Sequence, residues 1–130
     1  MEAGKQNARL TATLELLTHM QTNAHWVRNR QRFINLRDNT VGLKQHALKN
    51  DADALVVRAV LNQYELIAIG IRHEILDESM FRLFYRGTVL RDWNALADFI
   101  QMERHDNALY WIELEHLADR FKILQSIHKS

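Results

Sequence analysis

Apolar residues recur along this chain at spacings of three and four, the period of helices packed on one side, while period-two alternation bounded by Asn-Gly or Asp-Gly turns is missing. Leu10, Leu14 and Leu17, extended by Ala3 and Met20, predict an amphipathic helix over 5–21. Thr22 and Asn23 offer a cap for a second helix reaching Leu36. Its Trp26, Val27, Phe33 and Ile34 fall on one side, and Arg28, Arg32 and Asn35 on another. A break is expected at 37–40, then a short helix over 42–48 that starts at Gly42.

The next helix, over 51–74 with Asp51 or Asp53 as its cap, is predicted to be roughly 36 Å long at about 1.5 Å per residue. Leu55, Val56, Val57, Val60, Leu61, Leu66, Ile67, Ile69 and Ile71 cover most of its circumference, which places it in the middle of a bundle. Gly70 inside it costs roughly 1 kcal/mol relative to alanine, so a neighbouring backbone is expected to approach there. Asp77 is the candidate cap of a long apolar stripe from Met80 to Ile100, either one helix bent near Gly87 or two helices meeting there. Asn107 is the candidate cap of a last helix through Tyr110, Leu114, Leu117, Phe121 and Leu124, ending near His128 with Lys122 and Lys129 at its negative end. The expected fold is all-α: one domain over 1–130, a compact bundle of five or six helices around a central apolar helix.

Composition narrows the function. The 130 residues hold 47% hydrophobic and 25% charged side chains, enough for one core and too little bias for disorder. With no cysteine there is no disulfide, thiol nucleophile or thiolate zinc site, a usage that fits the cytoplasm. The longest greasy stretch, 59–71, is interrupted by Asn62, Gln63 and Glu65, so no segment is expected to span a membrane. Seventeen Lys and Arg against sixteen Asp and Glu give a net charge of +1, far from that of a DNA-wrapping protein. The charge is uneven, however. Residues 26–49 carry Arg28, Arg30, Arg32, Arg37, Lys44 and Lys49 against Asp38, a balance of +5, and residues 50–130 carry −4.

Two groups of residues could carry chemistry. Glu65 stands among aliphatics beside Asn62 and Tyr64, and must find a cation and donors or take up a proton. Arg86 and Arg91, near Asp92 and Trp93, are the candidate cations, so Tyr64, Glu65, Arg91 and Trp93 are expected to form an internal network or line a cleft. A catalytic Glu65 would act as general acid or base, but no nucleophile or oxyanion hole accompanies it. Arg28, Arg30, Arg32 and Arg37 form the second group, a basic helix face suited to an acidic protein surface or to phosphates, with Trp26 and Phe33 available to stack on bases. Glu113-x-x-His116 has the spacing of one half of a di-metal site and lacks its second copy, so no metal is expected. No cofactor is expected either, since phosphate-binding and dinucleotide motifs are missing.

The segments Asn62-Gln-Tyr-Glu-Leu-Ile-Ala-Ile-Gly-Ile71, Ile75-Leu-Asp-Glu78 and Leu90-Arg-Asp-Trp93 resemble, in order and spacing, the bacterial and prophage-associated domain-of-unknown-function family 4760. The resemblance runs over residues 8–121 and rests on Tyr64, Glu65, Ile67, Ala68, Gly70, Ile71, Arg91, Asp92 and Trp93. It implies a small helical domain and brings no established activity. Many such proteins carry a membrane helix ahead of the first soluble one, so this chain is expected to be a free-standing cytoplasmic form or one trimmed at its start. The expected function is that of a non-enzymatic protein–protein interaction module, in a phage setting an accessory protein that inhibits a host complex, and dimerisation through an apolar face fits it. The alternative is nucleic-acid binding through the basic second helix.

Overall fold

The computed structural model describes residues 2–39, 43–49 and 51–129, with the side chains of all but 46, 48 and 124–129. Seven helices and no strand form among these residues: α1 (Glu2–Thr22), α2 (Ala24–Asn39), α3 (Leu43–Lys49), α4 (Asp51–Arg72), α5 (Glu78–Ala95), α6 (Ala97–Glu103) and α7 (Ile112–Lys129). The fold is all-α, with more helices than the five or six expected. The stripe from Met80 to Ile100 divides at Leu96 rather than at Gly87, which is exposed, meets no neighbour and leaves the helix unbroken. At Leu96 the backbone leaves helical geometry (φ −96°, ψ 2°) while its N–H still reaches the Asp92 carbonyl at 3.0 Å. The expected start of α3 at Gly42 lies outside the described residues, as do the side chains of Leu124, His128 and Lys129.

Five long helices close a ring. α1 packs on α2 and α5, α4 on α2 and α7, and α5 on α7. α3 lies against α4 and α6, and α6 against α5. The core between them is built from Phe33, Leu61, Ile67, Phe81, Phe99 and Phe121, with Phe81 stacked on Tyr85 at 5.2 Å and on Phe121 at 6.4 Å. α4 supplies more buried residues than its neighbours, as its apolar circumference requires. It is also long and apolar enough to cross a membrane by length and composition, and half of it lies inside the bundle. α1 differs from its predicted stripe: Thr13, Leu17 and Met20 are buried, while Leu14 is exposed.

Side chains tie the helix ends to neighbouring helices. The Asn23 side chain accepts the Trp26 N–H (2.9 Å) and Asp77 that of Met80 (2.8 Å), so both expected caps form. The buried Thr13 hydroxyl donates to the Arg9 carbonyl (2.7 Å) and accepts the Asp77 N–H (2.8 Å), pinning the start of α5 to α1. Asn107 caps a turn instead of a helix: it accepts the Leu109 N–H at 2.9 Å, and α7 begins only at Ile112. Between them Trp111 is held at φ 58°, rare for a bulky side chain.

At the C-terminus of α4, the Glu74 N–H bonds the Ile71 carbonyl (3.0 Å) and the Ile75 N–H the Gly70 carbonyl (2.9 Å), a Schellman closure with Glu74 in the left-handed position at φ 60°. The neighbour that approaches Gly70 is a side chain, not a backbone: a Cβ there would stand 2.8 Å from Leu76 Cδ1. Glycine suits the left-handed position better than glutamate. Glu74→Gly is therefore expected to stabilise the protein by about 0.5–1 kcal/mol, read as a higher thermal midpoint with unchanged helix content.

Candidate functional site

α2, α4 and α5 meet at a buried carboxylate. Asp92 sits on α5 in the same phase as Phe81, Tyr85 and Val89, so the helix face that buries Phe81 and Val89 also buries an acid. Arg30 and Arg37 lie on α2 in phase with Trp26 and Phe33, and Tyr64 lies on α4 in phase with Leu61 and Ile67. Arg30 Nη1 donates to Asp92 Oδ2 at 2.6 Å, Arg37 Nη1 to Oδ1 at 2.8 Å, and the Tyr64 hydroxyl to Oδ2 at 2.7 Å. The three side chains with formal charge are 18%, 7% and 1% exposed for Arg30, Arg37 and Asp92. Arg37 turns its Nε and Nη2 to the two oxygens of Asp38 as a fork, and the Arg30 guanidinium lies 5.2 Å from the centre of the Phe33 ring.

The ionisation of the cluster follows from these contacts. Burial opposes the charge on Arg30, yet the neighbouring Tyr64 and Asp92 hold its pKa above the usual arginine value. Arg37 is raised chiefly by its Asp38 hydrogen bonds, against the cost of burial, with Asp92 adding to the effect. The same fork holds the exposed Asp38 carboxyl below the usual range. Burial foremost, then the Asp92 charge, pushes the Tyr64 phenol well above its ordinary value, so the proton it shares with Asp92 stays in place.

A cleft of about 380 Å³ opens over this cluster, with Trp26, Arg30, Arg37, Tyr64, Tyr85 and Arg91 in its wall. Arg30 uses only Nη1 in the bonds described above. Arg30 and the exposed Arg91 line the cleft together with the aromatic Trp26, Tyr64 and Tyr85. Both Asp92 oxygens are occupied and the phenol points inward. The cluster as built holds three helices in place and offers the cleft a fixed guanidinium.

The residues singled out in the sequence are divided by the structure. Of the four arginines on the basic helix, Arg30 and Arg37 face inward to Asp92, and Arg28 and Arg32 are exposed. Tyr64 and Arg91 share the cleft, and Trp93 is half-buried against the core. Glu65 does not pair with Arg86 or Arg91 in the described hydrogen bonds. It accepts the backbone N–H groups of Leu114 (2.7 Å) and Glu113 (3.3 Å), capping α7 from the side of α4 where no residue of α7 does so. Asn62 also stays out of the cluster and accepts the indole N–H of Trp111 at 3.1 Å. The hub itself, Asp92, and the inward turn of Arg30 and Arg37 were the part that sequence reasoning missed. Their phase within the apolar stripes was the available signal. Among the described residues, no three His, Asp or Glu side chains are grouped to hold a metal ion.

Removing the buried acid leaves two guanidiniums facing each other without a counter-charge. Asp92→Ala is expected to cost about 3–5 kcal/mol in denaturant unfolding, and an apolar replacement of Arg30, Arg37 and Asp92 together is expected to recover most of that loss. The raised Tyr64 pKa means that the folded state holds this proton more tightly than the unfolded one. The stability it contributes is complete below about pH 10 and falls as pH rises beyond the unfolded phenol's range, so Tyr64→Phe should flatten the alkaline decline of stability.

No curated protein and no solved structure matches the chain. One family model does, the Domain of unknown function DUF4760, over residues 1–121. That match spans nearly all of the sequence, from the first turn of α1 into α7, and takes in the whole Asp92 cluster: the chain belongs to the DUF4760 family.

Proposed function

We propose that this protein is a small non-enzymatic helical module that binds another protein through the outer face of α4. The observation that carries the reading is the unburied side of that helix. Leu55, Leu66 and Ile69 are 63%, 65% and 37% exposed on the most apolar helix of the bundle, and Ala52 and Ala59 are exposed between and before them. A helix apolar on nearly all sides belongs inside a core. Here the fold covers three sides and leaves the fourth in water, and contiguous apolar surface of that kind marks interaction sites. Leu109 and Tyr110 are exposed as well, next to Trp111, whose indole is bonded to Asn62 of α4. The phage or prophage setting implied by the resemblance would let the assembled module act on a host complex, in a cytoplasmic location.

Nucleic-acid binding is the second reading, favoured by the exposed Arg28 and Arg32, which none of the described ion pairs uses. It loses weight because Arg30 and Arg37, half of the basic face, serve as counter-charges to Asp92.

A tagged pull-down from the native host, with and without nuclease, separates the two. With Leu55→Asp plus Leu66→Asp, which alter only exposed positions, a nuclease-resistant stoichiometric protein partner is expected to fall on the order of tenfold or more, as loss of interface anchors does. Arg28→Ala plus Arg32→Ala should leave it bound. The opposite pattern, nucleic acid that disappears with nuclease and with the arginine variant, overturns the reading.

A further inference from the structure

The exposed face of α4 has an internal order that points to one occupant. Ala52, Leu55, Ala59, Asn62, Leu66 and Ile69 follow one another at spacings of three and four residues, and all six are exposed. This is the seam of a two-stranded coiled coil, drawn along a helix whose other sides are already packed. On the flank of the seam stand Asp51, Arg58, Glu65 and Arg72, one per seven residues, with charges alternating −, +, −, +. We propose that the partner is a second copy of this chain, and that two α4 helices pair antiparallel across a two-fold axis near the level of Leu61. The proposal rests on α4 being the interaction face.

Antiparallel pairing sets each seam residue against a different seam position of the second copy. Ala52 then faces Ile69 of the second copy, Leu55 faces its Leu66, and Ala59 its Asn62. Small residues meet large or polar ones, and the two leucines form one tight layer on either side of the axis. The flanks agree with that register. Asp51 falls opposite Arg72 of the second copy, and Arg58 opposite its Glu65. Symmetry repeats each pair, so four opposite-charge contacts line the interface. Slipping the helices by seven residues brings Arg58 against Arg72, twice by symmetry, and Glu65 against Glu65, three like-charge contacts in place of the favourable ones. Parallel pairing faces this flank with Val56, Gln63 and Gly70, which carry no charge. Among the three arrangements, charge complementarity selects one.

The flanking arginines are available for it. Arg58 and Arg72 pair with the largely buried Glu103 and Glu113 within the chain, but their own side chains lie at the rim, 42% and 64% exposed, and Glu65, which accepts two N–H groups of α7, keeps lone pairs for a further donor. A guanidinium carries five donors and can serve a second carboxylate at the rim without leaving the first, so the flank fixes register while Leu55, Leu66 and Ile69 supply affinity. Asn62 offers its oxygen to Trp111, which leaves its amide N–H groups for the seam. A polar residue in such a seam restricts alignment and number of strands at some cost in strength.

The chain lacks cysteine, so introduced thiols report the geometry without interference. Ala52→Cys and Ile69→Cys would be prepared separately with different tags, mixed, and oxidised under mild conditions, alongside light scattering of the wild type. In the proposed dimer each of these positions lies roughly 25 Å along the axis from its own counterpart, beyond the reach of about 7 Å for a disulfide. The mixed disulfide is therefore expected to exceed either self-linked product by on the order of tenfold. Light scattering should give a dimer that Leu66→Asp converts to monomer without loss of helix content. Self-linked products in excess would overturn the antiparallel register. A wild-type monomer at all concentrations would overturn the dimer, and the heterologous pull-down with Leu55→Asp plus Leu66→Asp would then decide separately whether α4 binds another protein. Sedimentation of the wild type with lipid vesicles, lost in Leu66→Asp, would assign the stripe to a membrane and overturn both.

Discussion

A carboxylate withdrawn from water between helices costs several kcal/mol unless cations and donors reach both of its oxygens, and Asp92 obtains them from two other helices. That requirement fixes much of the molecule. α2 must lie with Arg30 and Arg37 turned toward α5 and cannot slide by a turn without stranding a charge, and α4 must present Tyr64 at the same level or leave a buried hydroxyl without its acceptor. The break at Leu96 follows one turn later, where the chain leaves the cluster and α6 swings to meet α3. Such clusters are poor sources of net stability and good sources of uniqueness. An all-helical bundle built from leucine and alanine has many packings of similar energy; the Asp92 pairings are satisfied in one of them.

The same logic is repeated in weaker form where α4 meets α7. Glu65 gives the first N–H groups of α7 the acceptor that they lack within their own helix, and Asn62 anchors the indole of Trp111 just before that helix begins. Trp111 keeps a left-handed backbone because its side chain is held from two sides, by the Asn62 bond and by the rings of Phe99 and Tyr110. Polar side chains that read as candidate chemistry in the sequence are, in the fold, the means by which one helix determines where another starts.

The helical class, the caps at Asn23 and Asp77 and the apolar nature of α4 were legible in the sequence, because periodicity and capping are local properties. Partner choice among polar groups was not. Glu65 and Arg91 look like a pair on the page, yet the acceptor role of Glu65 depends on where α7 begins, and Asn107 concealed that point by capping a turn ahead of it. Arg30 and Arg37 read as members of a basic surface with Arg28 and Arg32 because charge was counted by segment. Counted by helical phase, they share the side of Trp26 and Phe33 and belong with the core, and Asp92 shares the side of Val89 and Leu96. Phase could have found the cluster; only the three-dimensional arrangement could say which acid met which base.

Exposed apolar residues are ordinary on any protein surface, so the stripe on α4 needs a comparison before it carries weight. α5 supplies one. Leu83 and Phe84 are as exposed as any residue of α4, but they are neighbours in sequence, point in directions about 100° apart and stand among Arg82, Arg86 and Gly87. No second helix could follow them for more than a turn. On α4 the exposed residues continue in one line from Ala52 to Ile69, with a polar residue near the middle and charges ordered along one flank. Burial of α4 by the bundle explains Val57, Leu61 and Ile67 and leaves that line unexplained, because nothing in the monomer requires apolar residues there. A sequence that made α4 apolar only for the core would have placed lysine or glutamate at 55, 66 and 69, as amphipathic surface helices do. The ring of helices therefore accounts for three sides of α4, and the proposed interface would account for the fourth.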